Sequence, residues 1–209
     1  SGVWASLPSV ISGAELYVLF GNNPSVTRPS GGGKGYQVDA AMQRHRPRTI
    51  VIDPCFTDTA TTRADQWIPI RPGTDVALML CWTRYLIEKK LYDHEFVLRW
   101  TNLPYLVNAE TKRLVRANEL DPAADAKTFV VWDARTKSPK AIRYPWDDAL
   151  EPVLDGEFEF QGVKYKTGFR CLRERAEPWT LEKGAEVCWL DAKKIEEAIL
   201  MYADGPAGI

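Results

Sequence analysis

Cysteine and histidine are scarce: 4 and 2 of 209 residues. Cys55, Cys81, Cys171 and Cys188 are widely scattered and form no C-x-x-C pair. A zinc site, an iron–sulfur cluster and a redox dithiol therefore lack the spacing they need. Cys81 and Cys188 lie in apolar stretches and read as small buried hydrophobes, whereas Cys55 sits in a loop of ligand-binding composition. His45 and His94 fall on predicted outer helix faces, which suggests neither a catalytic triad nor a metal site. Neither G-x-G-x-x-G nor G-x-x-x-x-G-K-[ST] occurs, so the standard dinucleotide and P-loop fingerprints are missing. The longest apolar stretches, residues 76–86 and 16–20, are too short to span a bilayer. There is no excess of one charge: 27 basic against 28 acidic side chains give a formal net charge of -1, which disfavours non-specific nucleic-acid binding. Repeats, low-complexity tracts and a secretory signal are also lacking. The chain opens on Ser1 rather than Met, so it is expected to be an excised piece whose localisation cannot be read from its end.

What is present is enough apolar material for a core, 45% of residues, and the expectation is one α/β domain over 1–209 with elaborations. Leu16-Tyr17-Val18-Leu19-Phe20 reads as a buried strand running into Gly21-Asn22-Asn23-Pro24 and then Gly31-Gly32-Gly33. A short amphipathic helix is expected over 36–45, ended by Pro47. The second strand, 49–52, is β-branched and apolar throughout, as a strand covered on both faces of a parallel sheet should be. It empties into Asp53-Pro54-Cys55-Phe56-Thr57. A third strand, 67–70, leads to Pro72-Gly73-Thr74-Asp75, where Thr74 or Asp75 can cap a helix that runs to Lys89-Lys90. A second helix is expected over 93–100. Beyond Thr101 short strand-like pieces with polar tips predict a β-rich hairpin insertion over 101–165, including an alternating strand within 156–162. Helices return after Thr180 and Asp191, with Ile195, Ala198, Ile199 and Tyr202 on one face.

Three loops after three successive strands would gather at the carboxyl edge of a sheet, where open α/β folds bind ligands. In the first, Gly21 admits close backbone approach, Asn22 and Asn23 carry amide donors for phosphate or ribose oxygens, and Thr27 and Ser30 extend that surface; a plain turn is the alternative. Asp53 suits a ribose hydroxyl, or an Asx-turn before Pro54. Asp75 can accept two parallel hydrogen bonds, matching the N1–H and N2–H edge of guanine, or it can cap its helix. Asp65 and Arg71 are placed near the same edge, with ordinary surface charge as their other reading.

Together these loops resemble one family. Phe20-Gly21-Asn22-Asn23-Pro24-x-x-Thr27-Arg28, Ile52-Asp53-Pro54-x-x-Thr57-x-Thr59-Ala60 and Ala64-Asp65-x-Trp67-Ile68-Pro69-Ile70-Arg71-Pro72-Gly73-Thr74-Asp75 look like the molybdopterin oxidoreductases of the dimethyl sulfoxide reductase family. The resemblance is dense over 14–92 and resumes at Trp179-Thr180-Leu181-Glu182 and Ala192-Lys193-Lys194-Ile195. Cys55 stands where the family's Asp-Pro-Arg motif has arginine.

The resemblance implies a Rossmann-like domain, mostly parallel sheet flanked by helices, that binds one of two molybdopterin guanine dinucleotides. Phe20, Gly21, Asn22, Asn23, Pro24 and Thr27 would follow the pyrophosphate and nucleotide. Asp53, Pro54, Cys55, Phe56 and Thr57 would meet ribose and base, and Gly73, Thr74 and Asp75 would hold guanine. It also implies a fragment of a larger enzyme, with the molybdenum ligand upstream of the first strand, no catalytic or metal-binding residue here, and an isolated piece that is inactive and without cofactor. The implied partners are the remaining domains of the same polypeptide and an iron–sulfur electron-transfer subunit, with no nucleic acid and no membrane contact. Periplasm and cytoplasm both remain open. A stand-alone nucleotide-binding or interaction module is the alternative from another class; the absent glycine fingerprint disfavours an ordinary NAD-dependent dehydrogenase.

Overall fold

The computed structural model describes residues 13–26, 34–142 and 149–204; Thr27, Ser30 and the triple glycine lie outside them. The chain divides into two compact units, 1–91 with 179–209, and 92–178.

The first unit is built on a parallel sheet of β1 (Leu16–Phe20), β2 (Arg48–Ile52) and β3 (Gln66–Ile68), ordered β1-β2-β3. Val18 lies opposite Ile50, and Ile52 opposite Ile68. β2 is central, which explains its composition: Thr49, Ile50, Val51 and Ile52 are all buried because helices cover both faces. Strand alternation sends Val51 and Leu19 to one face, against Val38, Ala41 and Met42 of α1 (Lys34–His45) and Ala60 of α2 (Asp58–Arg63). Ile50, Ile52 and Ile68 go to the other. There they meet α3 (Asp75–Glu88) through Leu78, Cys81 and Trp82, together with helices from the end of the chain.

In the second unit, α4 (His94–Trp100) is capped by Asp93, whose carboxylate accepts from Phe96 N–H. β4 (Leu106–Asn108), β8 (Val163–Thr167) and β7 (Glu157–Phe160) form an antiparallel sheet in that order. β5 (Phe129–Asp133) and β6 (Ser138–Ile142) form a separate hairpin. Leu106, Val130, Trp132 and Tyr165 share its core, with the Trp132 ring stacked on Phe158 at 4.2 Å. α5 (Gly168–Ala176) closes this unit. Back in the first unit, α6 (Leu181–Cys188) and α7 (Ala192–Ala203) are capped by Thr180 and Asp191.

Several expectations need correction. The alternating strand expected within 156–162 is present as β7, and what the expectation lacked is its partner: Gln161 and Gly162 both have positive φ, 51° and 78°, as a two-residue type I′ turn requires, and β8 returns beside β7. The strand-like piece expected at Leu114-Val115 makes only an isolated bridge, between Leu114 and Val107. Neither Thr74 nor Asp75 caps α3 through its side chain, because the Thr74 hydroxyl donates to the Arg71 carbonyl at 2.7 Å. Asp65 is at the opposite end of the sheet from the strand-end loops, where its carboxylate accepts from Thr49 N–H at 2.7 Å. Tyr202 does share the face of Ile195, Ala198 and Ile199, with its ring 5.8 Å from that of core Trp82, but it lies at the rim and is 39% exposed.

Candidate cofactor site at the strand ends

Because β1, β2 and β3 run parallel, the loops that leave them open on one edge of the sheet. The first is pinned to the second strand by Gly21 N–H, which donates to the Ile52 carbonyl at 2.9 Å. Gly21 has φ 55°, and a Cβ built there would meet nothing within 4 Å, so the backbone is open to approach. Pro24 is buried, while Phe20 and Asn22 are exposed.

A polar network beneath this loop was not foreseen. Asn23 Oδ1 accepts from both the hydroxyl of Thr59, at 2.7 Å, and its backbone N–H, at 3.2 Å. A backbone N–H can only donate, so the Asn23 carboxamide must turn its oxygen toward Thr59, and among the described residues its amide N–H groups have no acceptor. Thr59 Oγ1 in turn accepts from Ser25 N–H at 3.1 Å. The Ser25 hydroxyl donates to Asp39 at 2.9 Å, and Asp39 receives a two-pronged contact from Arg63, both prongs at 2.9 Å. The Arg63 hydrogen bond, helped by the Ser25 hydroxyl, holds the Asp39 carboxyl below its ordinary pKa. Thr59 itself is fully buried. The signal for this arrangement was the run Thr57-Asp58-Thr59 before Ala60, a helix start in which Thr57 accepts from Ala60 N–H.

In the second loop Asp53 is nearly buried and its Oδ1 accepts from Cys55 N–H at 2.8 Å, an Asx-turn. Trp67 of β3 clamps the loop: its indole N–H donates to the Asp53 carbonyl at 2.9 Å and its ring meets Phe56 at 4.7 Å. Cys55 and Phe56 are exposed, and so is Pro54.

The third loop is a tight turn, with Thr74 N–H donating to the Arg71 carbonyl. Pro72 sets the first central φ, and Gly73 at φ 82° meets the positive-φ demand of a type II turn. Arg71 N–H donates to the Cys188 carbonyl at 3.0 Å, and the Cys188 thiol donates to the Thr74 carbonyl at 3.6 Å. Asp75 is exposed at the first position of α3, and among the described residues its carboxylate has no hydrogen-bond or ion-pair partner. The chemistry assembled at this edge is thus amide donors on the first loop, a part-occupied carboxylate on the second and a free carboxylate on the third. A cavity of about 240 Å³ elsewhere in this unit, lined by residues of α3, α6 and α7 such as Arg84, Tyr85 and Glu196, shares no residue with these loops.

The molybdopterin oxidoreductase family model matches residues 4–203. The chain belongs to this family. Dimethyl sulfoxide reductase DmsA of Escherichia coli is 49% identical over 98 residues, which are 46% of this chain and 12% of that protein. The putative catalytic subunit of a dimethyl sulfoxide reductase in Halobacterium salinarum is 35% identical over 206 residues, 94% of this chain and 23% of that protein. The alpha subunit of perchlorate reductase in Dechloromonas aromatica is 28% identical over 223 residues, 91% of this chain and 24% of that protein. Acetylene hydratase from Pelobacter acetylenicus matches 95% of this chain and 19% of its own at a TM-score of 0.49 and 22% identity. The chain therefore spans between 12% and 24% of the length of these curated relatives, two of which are named as subunits.

Membership implies a molybdopterin cofactor, and the strand-end loops offer open backbone, donors and acceptors that fit a polar group of this kind. Gly21 and Gly73 have open space where a side chain would stand. Beside them, among the described residues, the amide N–H groups of Asn23 and the carboxylate of Asp75 are without partners.

Proposed function

We propose that this chain is the cofactor-binding domain of a molybdenum oxidoreductase resembling dimethyl sulfoxide reductase, and that it holds the guanine dinucleotide part of one molybdopterin. The observation that carries the reading is the gathering of three strand-end loops, 21–25, 53–57 and 71–75, at one edge of a parallel sheet. The spatial order β3-β2-β1 is that of the first half of a Rossmann sheet, with helices on both faces, which supports a Rossmann-like reading. The β-rich elaboration expected over 101–165 falls inside the unit 92–178.

On this reading the Asn23 amide protons and the open backbone at Gly21 meet pyrophosphate oxygens. Asp53 keeps one carboxylate oxygen for a ribose hydroxyl while the other holds its own turn. Phe56 offers an exposed ring beside it, and Asp75 accepts from the N1–H and N2–H edge of guanine. The bound cofactor supplies the redox chemistry; the residues named here bind and orient it. The rest of the enzyme, comprising further domains of the polypeptide and an iron–sulfur subunit, completes the assembly.

The test is calorimetric titration of the chain with GDP and with ADP. We expect GDP to bind more tightly and Asp75→Ala to erase the preference with little change in melting temperature. Equal affinity of wild type for both nucleotides, or a preference that survives in Asp75→Ala, would remove the assignment.

A further inference from the structure

Trp189 is at odds with its backbone. It ends α6 at φ 58° and ψ 42°, the left-handed conformation that helices ordinarily give to glycine and that bulky side chains avoid. Its ring is not hidden in compensation, since the residue is 71% exposed. An exposed aromatic residue held in a strained conformation calls for a reason beyond packing.

The Arg71 guanidinium supplies one. Its central carbon lies 4.4 Å from the centre of the Trp189 ring. Among the described residues Arg71 has no carboxylate partner, and its backbone is hydrogen-bonded to Cys188, next to Trp189. Held over an indole, a guanidinium loses rotamer freedom and keeps its N–H fork available to two acceptors in one plane. Arg71 and Asp75 flank the same type II turn, which keeps the two within a few residues' reach of one another. Along a guanine ring, the N2–H and N1–H donors that suit a carboxylate are followed directly by the O6 and N7 acceptors that suit an arginine fork. The turn therefore carries the two side chains whose chemistry matches consecutive halves of one base.

We propose that Arg71 reads the O6 and N7 acceptors of the guanine whose N1–H and N2–H Asp75 accepts, and that Trp189 is the residue that positions Arg71 for it. This rests on the nucleotide reading above and extends it: recognition of the base is shared between a carboxylate and a stacked guanidinium. It also accounts for tryptophan at a position where glycine would be more stable.

The experiment titrates the chain and its variants with GDP and with 7-deaza-GDP, which lacks the N7 acceptor, and records thermal unfolding alongside. Wild type is expected to bind GDP about tenfold more tightly than 7-deaza-GDP. Arg71→Met should bind both equally and more weakly. Trp189→Gly should melt higher by about 3 °C as the left-handed strain is relieved, yet bind GDP several-fold more weakly. Trp189→Phe, which keeps a ring under the guanidinium, should stay within about threefold of wild type. A purely structural Trp189 would move stability and binding in the same direction, which overturns its positioning role. If Arg71→Met weakens GDP and 7-deaza-GDP by one common factor, Arg71 is contacting phosphate and the base-reading role is overturned. Wild type that prefers GDP over ADP while Arg71→Met and Trp189→Gly bind as wild type does sinks this proposal alone. Wild type without a GDP preference sinks the nucleotide reading with it.

Discussion

Thr59→Val isolates the hydroxyl on which the first strand-end loop hangs. Thr59 is fully buried, and valine has nearly the same shape, so the substitution opens no cavity and adds no bulk. What it removes is the acceptor of Ser25 N–H and the shorter of the two donors to Asn23 Oδ1. Leaving a buried polar group unpaired costs about 1–3 kcal/mol. Ser25 N–H is left unpaired but only part-buried, about 1 kcal/mol; Asn23 Oδ1 keeps the Thr59 N–H and loses one hydrogen bond, about 1 kcal/mol more, for a sum of about 2 kcal/mol. For a chain of this size that lowers the melting temperature by about 4–8 °C. Thr59→Ser keeps the hydroxyl and loses only a methyl group, about 1 kcal/mol. Thermal unfolding should therefore rank wild type above serine and serine above valine. Amide hydrogen exchange at Ser25 should quicken in the valine variant only. A valine variant as stable as the serine one, or with unchanged exchange at Ser25, would refute the claim that the hydroxyl holds the loop.

Two further outcomes are expected outside the strand-end loops. Gly184 packs so closely on α3 that an added Cβ would lie 2.8 Å from the Cys81 sulfur and 2.9 Å from its Cβ. Gly184→Ala should cost about 1–3 kcal/mol in denaturant unfolding, and Cys81→Ala should recover part of that loss in the double variant. Strict additivity of the two changes would contradict the close approach. Asp133, buried in the β5–β6 hairpin, has its pKa drawn down to about 2, first by the Thr136 hydroxyl and then by Glu151 N–H. Its folded pKa lies below the unfolded value of 3.8, so its contribution is full above that value and is lost as pH falls through about 2. The melting-temperature gap between wild type and Asp133→Asn should shrink as pH falls across that window, and a gap independent of pH would exclude the linkage.

Much of the first unit could be read without coordinates because its signals are local. The apolar, β-branched run at 49–52 can be buried on both faces only in the middle of a covered sheet, and β2 is the central strand. Thr180 and Asp191 announce their helices by capping chemistry confined to a few residues. The second unit was less legible. Its short strands alternate weakly, and the return from β7 to β8 turns on Gln161-Gly162, where only the glycine advertises a positive φ. Asp65 was misplaced for a similar reason: proximity in sequence to the third loop says nothing about which end of β3 a side chain occupies.

At the candidate site the division is the same. Sequence by itself determined the family and the three loop motifs, because glycine, proline and carboxylate placement encode turn geometry and donor–acceptor chemistry within a handful of residues. Only the tertiary structure decided how those loops are held. The ties run between Asn23 and Thr59, 36 positions apart, between Ser25 and Asp39, and between Cys188 and Thr74, 114 positions apart. No local pattern specifies such pairs. They form because the parallel sheet and its covering helices bring distant segments within hydrogen-bonding reach, where each buried polar group must find a partner.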